Sequence, residues 1–175
     1  MSEVNISLFT ADGLRQDLEK SDRDLTTLGV VFTSASVKAG YWIAYKTKEY
    51  NPKAGDSVQK NIQILEPGDE LDLNFNPGSI YSVPTTRQTA VVFEHAYYGG
   101  SRKAFDDYGC PDVTALFPPG DIGGASSLII NQTKKWELFT ETQYKGLVKT
   151  EEPGWYATPE EMKFPNDRLK SIRPR

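Results

Sequence analysis

One cysteine and one histidine stand among the 175 residues, and those two shortages remove whole classes of chemistry. A lone thiol, Cys110, cannot close an intramolecular disulfide, so the chain must hold together by packing alone. Its Y-G-C-P-D setting offers no neighbour that would depress the thiol pKa, and Cys110 reads as a small buried hydrophobe. With His95 the sole imidazole, histidine-rich zinc sites are excluded, and any Ser-His-Asp or Cys-His scheme would have to run through it. His95 lies in a hairpin arm and reads as an exposed residue of that arm, not as a general base.

Positive charge is also in short supply. A net charge of −4 and a pI near 5.1 argue against a nucleic-acid partner, which needs clustered Lys and Arg to displace counterions. The basic stretch R-L-K-S-I-R-P-R, Arg168–Arg175, reads as a solvated strand end. No run approaches the roughly 20 apolar residues that span a bilayer, and M-S-E-V-N-I-S-L-F-T has neither the basic start nor the apolar core of a secretory signal. The expectation is a cytoplasmic protein with no membrane insertion, secreted only if a leader has been removed. The sequons at Asn5 and Asn131 would matter only in that secreted case.

Catalytic motifs are equally scarce. G-D-I-G-G-A-S-S, Gly120–Ser127, lacks the Gly-Lys-Ser/Thr of a phosphate loop and leads into a strand pattern, not a helix. The adjacent acids Asp106/Asp107, Glu151/Glu152 and Glu160/Glu161 would face opposite sides of a strand and read as solvated loop charge. The chain is therefore expected not to be an enzyme.

What is present is a repeat, and repetition is the strongest sequence evidence of architecture. A bulky apolar residue is followed five places on by a second, with a tight-turn position two further, in F-T-A-D-G-L-R-Q (Phe9, Leu14, Gln16), Y-K-T-K-E-Y-N-P (Tyr45, Tyr50, Pro52), F-E-H-A-Y-Y-G-G (Phe93, Tyr98, Gly100) and F-T-E-T-Q-Y-K-G (Phe139, Tyr144, Gly146). Each run follows a short apolar strand pattern, so each predicts a hairpin folded back to stack its two large residues. Glycine suits the sharp turn in two of them; Gln16 and Pro52 require another route. A serine opening a later apolar strand recurs at Ser34, Ser82, Ser127 and Ser171, where a hydroxyl can satisfy backbone groups of the folded hairpin. D-L-T-T-L (Asp24–Leu28) returns as D-V-T-A-L (Asp112–Leu116), and Trp42 and Trp136 each precede a hairpin aromatic by three. The order is ABAB, as duplication of a two-unit domain would leave it. Brief alternating apolar runs and frequent Pro and Gly leave no room for long helices. A polar strand and loop are expected over Arg15–Asp24, with a short helix around Asp24–Leu28.

The hairpin F/Y-x-x-x-x-F/Y-x-G with its later serine resembles the Greek key of the βγ-crystallins. Keys fall at about Val4–Val37, Tyr41–Pro84, Ala90–Ile130 and Lys135–Arg173. The resemblance implies an all-β chain of two βγ-crystallin-like Greek-key β-sandwich domains, residues 1–85 with degenerate motifs and residues 86–175, divided within V-P-T-T-R-Q-T (Val83–Thr89). It also raises calcium, because many non-lens relatives carry N/D-N/D-x-x-S/T-S before the key serine, and oxygen-only ligation suits that ion. Here the segments are G-V-V-F-T-S, P-G-S-I-Y-S, I-G-G-A-S-S and N-D-R-L-K-S, none complete. The first domain has lost the acidic pair in both loops. The second keeps Ser126, Asn166 and Asp167, with Glu94 as an added contributor because the family uses a backbone carbonyl there, while Lys170 takes a hydroxyl position and repels a divalent ion. The resemblance thus implies a non-enzymatic structural or binding protein, without a cofactor and with absent or weak calcium binding, whose partner would be another protein or a second copy. The alternatives are a calcium-binding stress or coat protein, and an interaction module such as a toxin, inhibitor or complex subunit.

Overall fold

The computed structural model describes residues 5–84, 89–117, 123–131 and 134–175. Residues 85–88 of the expected boundary, residues 120–122 of the glycine-rich loop and residues 132–133 of the second sequon lie outside them. Among the described residues the regular structure is β, interrupted only by short 3-10 turns, and no helix is long and apolar enough to cross a membrane. The chain divides into two compact units, Met1–Thr85 and Thr86–Arg175.

In the first unit the strands are β1 (Asn5–Thr10), β2 (Arg15–Leu18), β3 (Phe32–Ala39), β4 (Tyr41–Tyr45), β5 (Ile62–Leu65), β6 (Glu70–Asp72) and β7 (Ser79–Val83). They form one sheet in the order β2-β1-β3-β6 and another in the order β5-β4-β7. The keys interlock by exchange. β6, from the second key, pairs with β3 of the first through Ser36↔Glu70, and Asp22, from the first key, bridges Ile80 of the second. Alternation along each strand turns Ile6, Leu8, Ala35, Val37, Trp42, Ala44 and Ile80 into one core. The Trp42 indole N–H donates to the Ala39 carbonyl at 3.1 Å, so the largest buried side chain also has its polar group met.

The second unit repeats this plan with β8 (Ala90–Phe93), β9 (Arg102–Phe105), β10 (Ser127–Ile130), β11 (Trp136–Glu141), β12 (Lys145–Glu151), β13 (Gly154–Tyr156) and β14 (Ser171–Pro174). Its sheets run β13-β10-β8-β9 and β12-β11-β14, with β13 lent across to β10 and Cys110 bridging Ile172 in return. The core gathers Ala90, Val92, Leu128, Ile130, Trp136, Leu138 and Ile172. Cys110 sits in this core as an apolar side chain, and burial pushes its thiol pKa up.

The duplicated D-L-T-T-L and D-V-T-A-L motifs become matching 3-10 turns, Leu25–Leu28 and Thr114–Leu116. Asp24 accepts from the Thr26 N–H at 3.1 Å and Asp112 from the Thr114 N–H at 3.0 Å. Behind each cap a buried residue ties the first key to the second: Leu25 N–H to the Gly78 carbonyl at 2.9 Å, Val113 N–H to the Lys170 carbonyl at 2.8 Å. The ABAB order is therefore carried by equivalent hydrogen bonds as well as equivalent letters.

Three of the four hairpins fold back as expected. Tyr45 and Tyr50 meet edge to face at 5.5 Å, Phe93 and Tyr98 at 5.4 Å, and Phe139 and Tyr144 at 5.7 Å. Reaching these positions puts consecutive non-glycine residues in the left-handed region, at Glu49–Tyr50–Asn51, Tyr97–Tyr98 and Gln143–Tyr144. Each such residue costs about 1–3 kcal/mol; burial of a ring returns about 1.5–3 kcal/mol and its edge-to-face contact about 0.5–1.5 kcal/mol more. Asn51 supplies the positive φ beside Pro52, and two further 3-10 turns follow before β5.

The first hairpin does not fold back. Thr10 and Leu14 close a tight turn through Thr10 N–H to the Leu14 carbonyl at 3.0 Å, with Gly13 in the left-handed region. Leu14 is 52% exposed and does not stack on Phe9. An aliphatic side chain gains no ring contact that would offset left-handed backbone strain, so the shorter turn wins. Tyr144 is also less buried than the repeat implies, whereas Tyr98 is 2% exposed. Accordingly, Tyr98→Ala should cost about 3–5 kcal/mol and Tyr144→Ala about 1–2 kcal/mol in urea unfolding; equal losses would contradict this difference in packing.

Candidate cation-binding loops and the hairpin serines

Each folded hairpin is locked by one serine. Ser127 Oγ accepts from the Tyr98 N–H at 3.0 Å and donates to the His95 carbonyl at 2.6 Å. Ser171 Oγ accepts from the Tyr144 N–H at 3.0 Å and donates to the Glu141 carbonyl at 2.6 Å. In the second key the same role falls to Ser79, which accepts from the Tyr50 N–H at 3.0 Å and donates to the Thr47 carbonyl at 2.7 Å. The expected Ser82 is instead bonded through its backbone N–H to Ser21 Oγ at 2.9 Å. Register decides the matter, since Ser79 pairs with Tyr45 as Ser127 does with Phe93 and Ser171 with Phe139. Local pattern favours Ser82 because Y-S-V looks like a strand start, while Ser79 follows a Pro-Gly pair that reads as a turn.

Moving the serine moves its loop. The segment before Ser79 is N-F-N-P-G-S, Asn74–Ser79, so the first unit keeps an asparagine at the first loop position. Its neighbour Asn76 is occupied, accepting the Phe32 N–H on its side-chain oxygen at 3.0 Å.

In the second unit the two loops lie against each other. Gly124 N–H donates to the Asp167 carbonyl at 2.6 Å and Ala125 N–H to the Leu169 carbonyl at 3.0 Å. A Cβ on Gly124 would fall 2.5 Å from backbone atoms of Leu169, which is why this approach needs glycine. The contact brings Ser126 to Asp167, with Ser126 Oγ donating to Asp167 Oδ1 at 2.7 Å. Asn166 Nδ2 donates to the other oxygen, Oδ2, at 2.8 Å. Both carboxylate oxygens are thus engaged, and the Asn166 amide turns its nitrogen, not its oxygen, toward that group. Ser126 and Lys170 are equivalent, their N–H groups donating to the Phe93 and Phe139 carbonyls.

Glu94 is used elsewhere. Its Oε2 accepts the Ser101 N–H at 2.9 Å across the hairpin, and its Oε1 lies 4.0 Å from His95 Nε2. His95 is not the exposed residue anticipated: its side chain is 16% exposed, with the ring against Gly100, where a Cβ would lie 2.8 Å from Cδ2. Glu151 likewise is buried and not solvated loop charge. It pairs with Lys149 at 2.5 Å, and burial, then the Glu151 charge, holds the Tyr156 phenol pKa up at about 12. Among the described residues no three His, Cys, Asp or Glu side chains are grouped to hold a metal.

Interlocked keys, serine-locked hairpins and two sandwich units together make up the two-domain βγ-crystallin fold. The chain is similar along its length to Geodin, a beta-gamma crystallin from Geodia cydonium, at 28% identity and a TM-score of 0.81, covering 99% of both chains. Half of it is similar to a beta gamma crystallin from Ciona intestinalis (22% identity, 50% of this chain and 99% of that one, TM-score 0.43). Another match is a betagamma-crystallin from an archaeon (20% identity, 51% and 100%, TM-score 0.44). No family model and no curated protein matches the chain.

If Ser126 serves Asp167 as a structural donor, Ser126→Ala should lower unfolding free energy by about 1 kcal/mol. A change smaller than the error of the urea titration would show that the contact does not order the loop.

Proposed function

We propose that the protein is a non-enzymatic βγ-crystallin that acts as a structural or binding module, with absent or weak calcium binding. The observation that carries this reading is the state of Asp167. Its two oxygens are met by Ser126 and Asn166, so a calcium ion would have to displace both donors and reorient the amide. Lys170 stands where the paired loop carries Ser126, placing an ammonium-bearing residue at a position that oxygen ligation would need. The residues present do not fit the ion well, and no step of function is assigned to it. The non-enzymatic part of the reading is supported by the position of the only histidine, held in a hairpin with its ring beside Glu94, while the Ser127 hydroxyl is spent on backbone groups of that hairpin.

Calcium titration followed by calorimetry tests this reading. Saturation at a hundredfold excess over Kd would add about 2.7 kcal/mol of stability; the unmodified chain should gain far less at millimolar calcium. Lys170→Ser, which removes the cation and restores a hydroxyl, should strengthen binding. Micromolar affinity of the unmodified chain, abolished by Asp167→Ala, would replace this account with that of a calcium-binding protein.

A further inference from the structure

The unfolded first hairpin leaves something behind. Phe9 pairs in register with Ser34 as Phe93 does with Ser127, so its position corresponds to that of the aromatics covered in the other three keys. In the third key the covering groups are Tyr98 and, 5.6 Å from it, Trp155. Tyr98 has no counterpart in the first key, because Leu14 stays in its tight turn. Trp155 pairs with Ile129, two residues beyond Ser127; the residue two beyond Ser34 is Ser36, and it pairs with Glu70. A carboxylate therefore holds the place of the indole.

The result is a groove of about 470 Å³ on the β2-β1-β3-β6 sheet, lined by Phe9, Ser34–Ser36 and Glu70–Asp72, a size within the range of small-molecule sites. Phe9, Ser34, Ser36, Glu70 and Asp72 share one face, as alternation and register require. Ser34 occupies the locking-serine position but has no folded hairpin to lock, so its hydroxyl remains on the groove. Charge across the face is divided. On β2, Arg15 pairs with Asp17 at 2.8 Å, and Lys38, from β3, also acts on Asp17. On the β6 side, Glu70 and Asp72 are exposed and neither carboxylate is in an ion pair among the described residues. The fourth key shows that a cation is compatible with this aromatic position, since the Arg173 guanidinium lies 5.2 Å from the Phe139 ring and 5.3 Å from the Tyr144 ring.

We infer that this groove binds a small arylalkylammonium ligand, its ring taking the place of the missing hairpin aromatic against Phe9 and its ammonium held by Glu70 and Asp72. The ring supplies the edge-to-face contact found in the other keys, and the short link carries the charge toward β6, two strand spacings or about 10 Å from β1. Ser34 and Ser36 offer hydroxyls to the ring substituent or the ammonium.

Tyramine is a suitable probe, added to the full chain and followed by amide NMR shifts and calorimetry. Saturable shifts should cluster at residues 9, 34–36 and 70–72. Affinity should fall about tenfold for 4-ethylphenol, which keeps the ring and loses the amine, and by a similar factor in Glu70→Gln/Asp72→Asn. Ser36→Trp, which rebuilds a ring over the groove, should abolish binding while leaving the unfolding midpoint near that of the parent. The inference is overturned by the absence of shifts at millimolar tyramine, by equal affinity for 4-ethylphenol, or by binding that survives Ser36→Trp. Shifts at the same residues on concentrating the protein alone would also overturn it, assigning the groove to a second copy of the chain.

Discussion

A serine hydroxyl that accepts one backbone N–H and donates to one carbonyl holds each folded hairpin of this protein, and much else depends on that pair of bonds. The tyrosine whose amide it receives lies in the left-handed region in all three cases, Tyr50, Tyr98 and Tyr144. No sheet ladder reaches those amides, and an unmet buried N–H costs about as much as the strain itself. The hydroxyl thus removes a penalty that would otherwise tip the hairpin toward an ordinary tight turn. Once the hairpin is down, its ring covers the strand aromatic.

The first key shows what happens when one partner is missing. Ser34 is in register with Phe9, but Leu14 gives the folded state too little to gain, and the turn closes through Thr10 instead. Phe9 is left on a face bordered by carboxylates, the origin of the groove. In the second unit the serine locks are intact and the variation has moved one residue upstream, to Ser126 and Lys170, where loop chemistry can change without disturbing the hairpins. Scaffold and adjustable positions therefore lie side by side along a few residues.

The interlocked all-β plan was legible because periodicity and repeat spacing encode it: Phe93 to Tyr98 to Gly100, or Asp24 and Asp112 as turn caps, are local patterns with local causes. The exchange of β6 and β13 between sheets was not, since pairing partners far apart in sequence leave no spacing to read. Ser79 was missed because its strand begins straight after Pro-Gly. The burial of Glu151 was hidden for a similar reason, as its Lys149 partner becomes visible only when β12 fixes which side chains share a face. Of the candidate loop residues, alignment on the serines singled out Ser126 and Asp167, but their contact, the direction of the Asn166 amide and the diversion of Glu94 to Ser101 are decided by tertiary geometry.

Native-state hydrogen exchange at the Tyr98 amide is the most direct measurement of the serine lock. If the Ser127 hydroxyl fixes the hairpin, this amide should exchange only through global unfolding in the parent protein, and Ser127→Ala should release it to local opening while the β8 and β10 amides stay protected. Exchange of the Tyr98 amide in the parent at the rate of exposed loop amides would contradict the account.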